Sequence, residues 1–364
     1  MLHSETDQRY MARALELAAR GLYTTTPNPR VGCVLVREHV VVGEGSHERA
    51  GEPHAEVHAL RAAAGKTQGA TAYVTLEPCA HHGRTPPCSE ALIAAHVERV
   101  VIAMRDPNPL VSGKGIAALR AAGIEVECGL LEREALELNI GFVSRMTRGR
   151  PWLRVKIASS VDGRTALANG RSQWITSPEA RRDGHHWRAR TCAIMTGIGT
   201  VKNDDPQLTV RDIATPRQPL RIVIDARLET PPAARVVGAG TLIVAAVEDA
   251  RLADPLRAKG AEILLCAAEN GRVDMRKLLQ ELGSRSLNEV HVEAGRRLNG
   301  ALLQSGLIDE LFMYLAPRVL GDSARGMFDM PELENLSEAL ELEFHELTRI
   351  GPDLRIIARP RESH

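Results

Sequence analysis

GEPHAEVHAL (51–60) and TLEPCAHHGRTPPC (75–88) decide how the first half of this chain is read. The first stretch carries two histidines and a carboxylate just after a proline, a set for which an amphipathic helix has no use. A hydrolytic metal site needs both residue types, an imidazole on the metal and a carboxylate within reach of it. The second stretch supplies what is missing, since Cys79 and Cys88 each follow a proline near a strand-to-helix junction. One imidazole and two thiolates (His54, Cys79, Cys88) suit zinc and leave a fourth tetrahedral position to water, which a structural zinc fills with another Cys or His. Helix N-termini favour the thiolate form of a cysteine placed there.

Glu56 stands two residues after His54, on the same first helical turn, and is better placed to face that water than to bind the metal. Zinc lowers the pKa of a bound water toward about 7. A carboxylate beside it can take the proton and pass it to a leaving amine, a transfer worth roughly a hundred- to ten-thousand-fold in rate. H-x-E with P-C-x-x-C marks zinc nucleobase deaminases; here eight residues separate the cysteines. His58, His81 and His82 could substitute as ligands but read as surface or pocket residues.

Working outward, the composition narrows the class. Lys+Arg and Asp+Glu both total 46 in 364 residues, a balance that argues against wrapping nucleic acid or lying on an anionic membrane. No run approaches the ~18 apolar residues of a spanning helix. The polar start, MLHSETDQRY, lacks the apolar core of a secretory signal, so the cytoplasm is the expected compartment. Six cysteines on so long a chain do not make a disulfide framework. Cys33, Cys128, Cys192 and Cys266 lie in or beside apolar runs and read as small core residues.

Strands and helices alternate. DQRYMARALELAAR (7–20) repeats apolar residues at helical spacing, with Gly21 as its stop. VGCVLV, HVVVGEG, TAYVTL, RVVIAM and IEVEC read as strands, with helices at AEVHALRAAA, CSEALIAAHV, GIAALRAAG and EREALELNIGFVSRM. This predicts an α/β layer with a largely parallel sheet. Around SRMTRGRP (144–151) the pattern resets, placing a boundary between domains at 1–147 and 148–364. AIMTG, LRIVID, TLIVAAV, EVHVEAG and LFMYLAP are the strands of a second α/β domain. In EAGRRLNGALL, a strand end, Gly295 and a helix start could cradle a pyrophosphate or form an ordinary strand–helix turn. Lys156 in RVKIA could face a pocket or reach to water.

TTTPNPRVGCVLV, GEGSHERAGEPHAEVHAL, TAYVTLEPCAHHGRTPPC and RDPNP resemble the N-terminal half of the bifunctional riboflavin-biosynthesis deaminase–reductase family. KIASSVDGRTA, SQWITSPEARR, TGIGTVKNDDPQLTVR, RIVIDA and VEAG resemble its C-terminal half, and the long cysteine spacing is that family's own form. The resemblance implies a cytidine-deaminase-like αβα domain followed by a dihydrofolate-reductase-like α/β domain. It implies two consecutive reactions on a phosphorylated pyrimidine. The first is zinc-dependent removal of the 2-amino group of 2,5-diamino-6-(5-phosphoribosylamino)pyrimidin-4(3H)-one. The second is NADPH-dependent reduction of the product's ribosyl group to ribityl. A dimer or tetramer is the implied state.

Carried over by motif, Asn28, Arg84, Thr85, Asp106 and Asn108 would hold the deaminase substrate, although Asn-Pro and Asp-Pro form turns in any case. Ala158, Trp174, Thr200, Asp204, Ala226 and the loop Gly295, Arg296, Arg297, Leu298, Asn299, Gly300 and Ala301 would contact the cofactor. Ser172, Arg188, Leu208, Arg211 and Glu293 would contact the reductase substrate, with both arginines suited to phosphate or, above all for Arg188, to a solvated helix face or surface ion pair. Ala226 departs from the Ser or Thr that family members can carry there, which brings Arg227 forward as a contact for the cofactor 2′-phosphate. Two rival readings stand beside this one: another zinc deaminase, of a free base, a nucleoside or nucleotide, or a tRNA adenosine, with an unrelated second domain, and a zinc-stabilised binding module. Such a module has no need of Glu56.

Overall fold

The structure is a computed structural model that describes residues 4–80, 86–109 and 111–361. It divides into two compact units, Met1–Gly149 and Arg150–His364. The division falls two residues beyond the boundary expected after residue 147.

In the first unit the elements run α1 (Glu5–Ala19), β1 (Gly32–Arg37), β2 (Val40–Ser46), α2 (Ala55–Ala63), β3 (Thr71–Leu76), α3 (Cys88–Ala94), β4 (Arg99–Met104), α4 (Lys114–Ala121), β5 (Glu125–Cys128), α5 (Glu132–Leu138) and α6 (Ile140–Arg148). The sheet order is β2-β1-β3-β4-β5. β1 is antiparallel to both neighbours, whereas β3, β4 and β5 run parallel. Ser4 caps α1 by accepting from the Asp7 N–H, and Asp7 accepts in return from the Ser4 N–H.

Glycines in the first two strands set how closely the helices approach. A Cβ at Gly32 would stand 1.9 Å from the Ala14 carbonyl oxygen of α1. Cys33 faces the other way, and its cross-strand partner Gly45 meets Ala55 and Ala59 of α2 on that side. Successive strand residues point to opposite faces, so α1 and α2 sandwich the sheet.

The second unit follows as β6 (Trp152–Ser160), β7 (Arg164–Ala166), α7 (Pro178–Arg190), β8 (Ala193–Gly197), α8 (Ile198–Asp204), β9 (Leu220–Ile224), β10 (Thr241–Ala245), α9 (Ala250–Arg257), β11 (Glu262–Leu265), α10 (Met275–Ser284), β12 (Glu289–Val292), α11 (Arg296–Gln304), β13 (Glu310–Ala316), β14 (Arg325–Gly326), β15 (Leu342–Ile350) and β16 (Asp353–Pro360). Nine of its strands form one sheet, ordered β11-β10-β9-β8-β12-β6-β13-β16-β15. It is parallel from β11 to β13 and antiparallel across β13, β16 and β15. Arg154, fully buried in β6, is paired with Glu289 and Glu310, which also meet Arg190 and Arg359. Mutual pairing is what lets these charges leave water.

Three expectations are corrected. The helix expected over 132–146 is two helices, broken at Asn139, whose buried side chain accepts from the Arg30 N–H at 2.8 Å and donates to its carbonyl at 2.9 Å. Gly21 does not stop the first helix; a 3-10 turn, Arg20–Tyr23, runs through it. Cys128 is exposed, because it ends the four-residue edge strand β5. Cys33, Cys192 and Cys266 are buried as expected. Among the described residues no helix is long and apolar enough to cross a membrane.

Gly32→Ala should destabilise the first unit by about 1–3 kcal/mol through overpacking against α1. Calorimetry of the full chain should show the transition assigned to that unit at lower temperature, with the other unmoved.

Candidate metal centre and cofactor cleft

His54 is the N-cap of α2, reached through Pro53, and its extended backbone (φ −77°, ψ 166°) turns the chain into the helix. Cys79 lies just beyond β3, and Cys88 opens α3 behind Pro87. These three ligand atoms lie within 4.8 Å of one another, the one such cluster among the described residues. His54 Nδ1 is 3.3 Å from Cys88 Sγ and 3.6 Å from Cys79 Sγ. Tetrahedral zinc with bonds of about 2.0 Å to nitrogen and 2.3 Å to sulfur puts such ligands about 3.5 Å apart. The donor set fits zinc. Hydrogen bonding from the Cys88 thiol, then from His54, holds the Cys79 thiol well below the ordinary cysteine value against the opposing effect of burial. The Cys88 N–H also donates to Cys79 Sγ, at 3.3 Å.

Glu56 is buried in the first turn of α2, and its Oε2 has no hydrogen-bond partner among the described residues. Burial raises its pKa above the ordinary carboxylate value, with His54 opposing. A carboxylate so placed is suited to holding and releasing a proton. His58 lies outside the cluster, one turn further along α2. Arg84, Thr85, His81 and His82 lie outside the described residues.

The sequence reading passed over His47. It is buried, its ring stands edge-on to His54 at 5.4 Å, and it links two neighbours. His47 Nδ1 is 3.1 Å from the Pro53 carbonyl oxygen, and Nε2 is 3.1 Å from Asn28 Nδ2. A carbonyl only accepts, so Nδ1 carries the proton; burial holds the ring neutral, so Nε2 accepts. The Asn28 amide therefore donates to His47 and keeps its Oδ1 as an acceptor for something else. Only spacing in the folded chain reveals this; the motif GSHERAG does not.

Asp106 and Asn108 share the loop after β4, where Asp106 Oδ1 accepts from the Asn108 N–H at 2.8 Å. The turn chemistry weighed for RDPNP is present.

In the second unit a cavity of about 960 Å³ opens beyond the C-terminal ends of β6, β8, β9 and β12. Between β8 and β12 the strand order reverses: β9, β10 and β11 extend to one side, β6 and β13 to the other. Parallel sheets bind ligands at that switch point. The cavity is lined by Ala158, Ser172, Trp174, Thr200, Asp204, Ala226, Glu293, Gly295, Arg296, Arg297, Leu298 and Asn299, so most of the residues singled out by motif converge there. Gly295 is the N-cap of α11 and no side chain caps that helix, which leaves its first N–H groups to a ligand. Arg181 stacks over the Trp174 ring at 4.5 Å.

Five expected contacts fall off the cavity wall. Gly300 packs on the backbone of Asp329 and Ala301 is exposed on α11. Leu208 is core. Arg211 is exposed, bonded to Gln207 and Thr209. Arg188 grips Glu293 with two nitrogens, at 2.6 and 2.8 Å, and donates to the Thr209 carbonyl. Burial opposes ionisation of Glu293, but that guanidinium holds its carboxyl far below the usual range. Lys156 faces the cavity, its ammonium pushed down by burial and drawn up by Glu293.

Residues 4–104 match the cytidine and deoxycytidylate deaminase zinc-binding region, and residues 151–356 match the RibD C-terminal domain. The chain is 52% identical to the riboflavin biosynthesis protein RibD of Escherichia coli, over 96% of this chain and 98% of that one. It is 42% identical to RibD of Aquifex aeolicus, over 97% and 98%. Among solved structures it is similar to Acinetobacter baumannii RibD (TM-score 0.91, 46% identity, 98% of this chain and 99% of that one). A Thermotoga maritima diaminohydroxyphosphoribosylaminopyrimidine deaminase/5-amino-6-(5-phosphoribosylamino)uracil reductase is also similar (TM-score 0.87, 33% identity, 98% and 99%). The reading in which the second half is unrelated to this family falls away. The chain belongs to the RibD family of riboflavin biosynthesis, bifunctional enzymes in which a zinc-binding deaminase domain precedes a reductase domain.

Proposed function

We propose that the first unit hydrolytically removes the 2-amino group of 2,5-diamino-6-(5-phosphoribosylamino)pyrimidin-4(3H)-one, and that the second reduces the resulting ribosyl group to ribityl with NADPH. The observation that carries this reading is the His54–Cys79–Cys88 cluster with a buried, unpartnered carboxylate oxygen two residues from its histidine. Bound there by His54, Cys79 and Cys88, zinc would acidify a water and so supply the nucleophile for the amidine carbon. Glu56 takes the proton from the attacking water and returns it to the departing amine, a role its raised pKa favours. Asn28, oriented by His47, offers Oδ1 to an N–H of the pyrimidine. Asp106, Asn108, Arg84 and Thr85 complete the hold on the substrate, the last two by motif alone.

For reduction, the nucleotide supplies a hydride. The uncapped start of α11, with Arg296 and Arg297, suits its pyrophosphate. Trp174, Thr200, Asp204, Ala158 and Leu298 border the same cavity. Ala226 offers no side-chain donor, whereas Arg227 lines the cavity with a 79% exposed side chain, 3.4 Å from Glu229. Arg227 is the contact proposed for the 2′-phosphate. Glu293, locked by Arg188, and Lys156 face the ribosyl side. The exposed edge-strand residues Phe344 and Leu347 are in keeping with a dimer or tetramer, and the cytoplasm is the proposed compartment.

Glu56→Gln should keep its zinc and fold yet lose ammonia release by more than about a hundredfold. The same variant should still oxidise NADPH on the deaminated substrate, because the reductase groups lie in the other unit; near-normal deamination would contradict the assignment. Arg227→Ala should bind NADPH several-fold more weakly by fluorescence titration while NADH binding is unchanged. An unaltered ratio of the two affinities would remove Arg227 from the 2′-phosphate site.

A further inference from the structure

Glu77 ends the run TLE just ahead of Pro78 and Cys79, and is buried to 3% exposure. Its carboxylate accepts four backbone N–H groups: Oε2 takes those of Asp106 (3.3 Å) and Gly113 (3.0 Å), and Oε1 those of Gly115 (3.0 Å) and Ile116 (3.2 Å). Its own N–H donates to the Met104 carbonyl at 3.0 Å. All four donors belong to the segment between β4 and the first turn of α4.

A helix normally receives its cap from its own N-cap side chain, a local and inexpensive solution. At α4 that position is Gly113, in the left-handed region, and no side chain of the helix caps it. The cap comes instead from a residue two places before a zinc ligand. The approach is so close that a Cβ at Gly115 would lie 1.9 Å from the Pro78 carbonyl oxygen. Only glycine fits there. One side chain thus joins three things that deamination must hold in register: the strand end leading to Cys79, the start of α4, and the Asp106 backbone. Through the Asp106–Asn108 turn it also fixes where Asn108 stands.

We infer that Glu77 is a positioning residue for deamination, clamping the Asp106–Asn108 loop against the metal-bearing strand end so that substrate contacts and metal keep a fixed separation. The inference rests on the reading of Asp106 and Asn108 as substrate contacts. Glu77 touches no reacting atom; it acts through the loop. Substitution should therefore weaken substrate and transition state alike, which appears in KM and leaves kcat nearly intact.

The test is steady-state ammonia release by the full-length zinc enzyme carrying Glu77→Gln, Gly115→Ala or Asn108→Ala, with zinc content and NADPH oxidation on the deaminated substrate measured on the same preparations. Gln at 77 turns an amide N–H₂ toward backbone donors, and Ala at 115 pushes the loop off Pro78 from the opposite side. Both should raise KM about tenfold or more with kcat within about threefold, one zinc per chain and reductase activity unchanged. Glu77→Gln and Gly115→Ala with KM unaltered, while Asn108→Ala raises it, would overturn the positioning role alone. Asn108→Ala without effect would overturn the substrate reading and the inference with it. Loss of zinc, or an equal fall in both activities, would place Glu77 at the metal or in the general fold and overturn the inference as well.

Discussion

Two sulfurs and a ring nitrogen held within 4.8 Å of one another are a costly arrangement unless a cation binds them. Much of the first unit can be understood as what brings them there. Pro53 and Pro87 set helix entrances, so that His54 and Cys88 sit at the starts of α2 and α3. β3, buried along nearly its whole length, delivers Cys79 between them. Hydrogen bonds from the Cys88 side chain, from His54 and from the Cys88 N–H then favour the thiolate at Cys79. Glu56 follows from the same helix start: placed in the first turn, it is buried beside half-buried His54 and Cys79, and burial lifts its pKa.

The second unit reaches a site by a different route. In its parallel sheet the strand order reverses between β8 and β12, which leaves a crevice beyond the strand ends. There Glu293, held in place by Arg188 from off the cavity wall, gives one side a fixed carboxylate, and the bare start of α11 gives the other its N–H groups. Deeper in the sheet, Arg154 with Glu289 and Glu310 explains why a strand pattern as apolar as WLRVKIA tolerates a guanidinium.

What was legible in the sequence was local. Strands such as Thr71–Leu76 and Arg99–Met104 stand where their apolar runs placed them, because such runs bury on both faces. His54, Cys79, Cys88 and Glu56 could be named because the chemistry of zinc restricts residue type and spacing. Less legible were features that depend on partners far along the chain. Asn139 breaks a helix to satisfy Arg30, more than a hundred residues away. His47 orients Asn28 through ring geometry alone. β15 and β16 went unread because β15 is an exposed edge strand whose charged residues mask alternation. Arg188, read as a phosphate clamp or an ion pair, is held by Glu293, a partner no motif announces.

The most direct test of the account is zinc X-ray absorption on the purified full-length protein. It predicts one zinc per chain bound by two sulfurs, one imidazole nitrogen and one further oxygen, reduced to a single sulfur or lost altogether in Cys88→Ser. Folded protein without zinc, or a shell of three or more sulfurs with no light-atom position to spare, would contradict it.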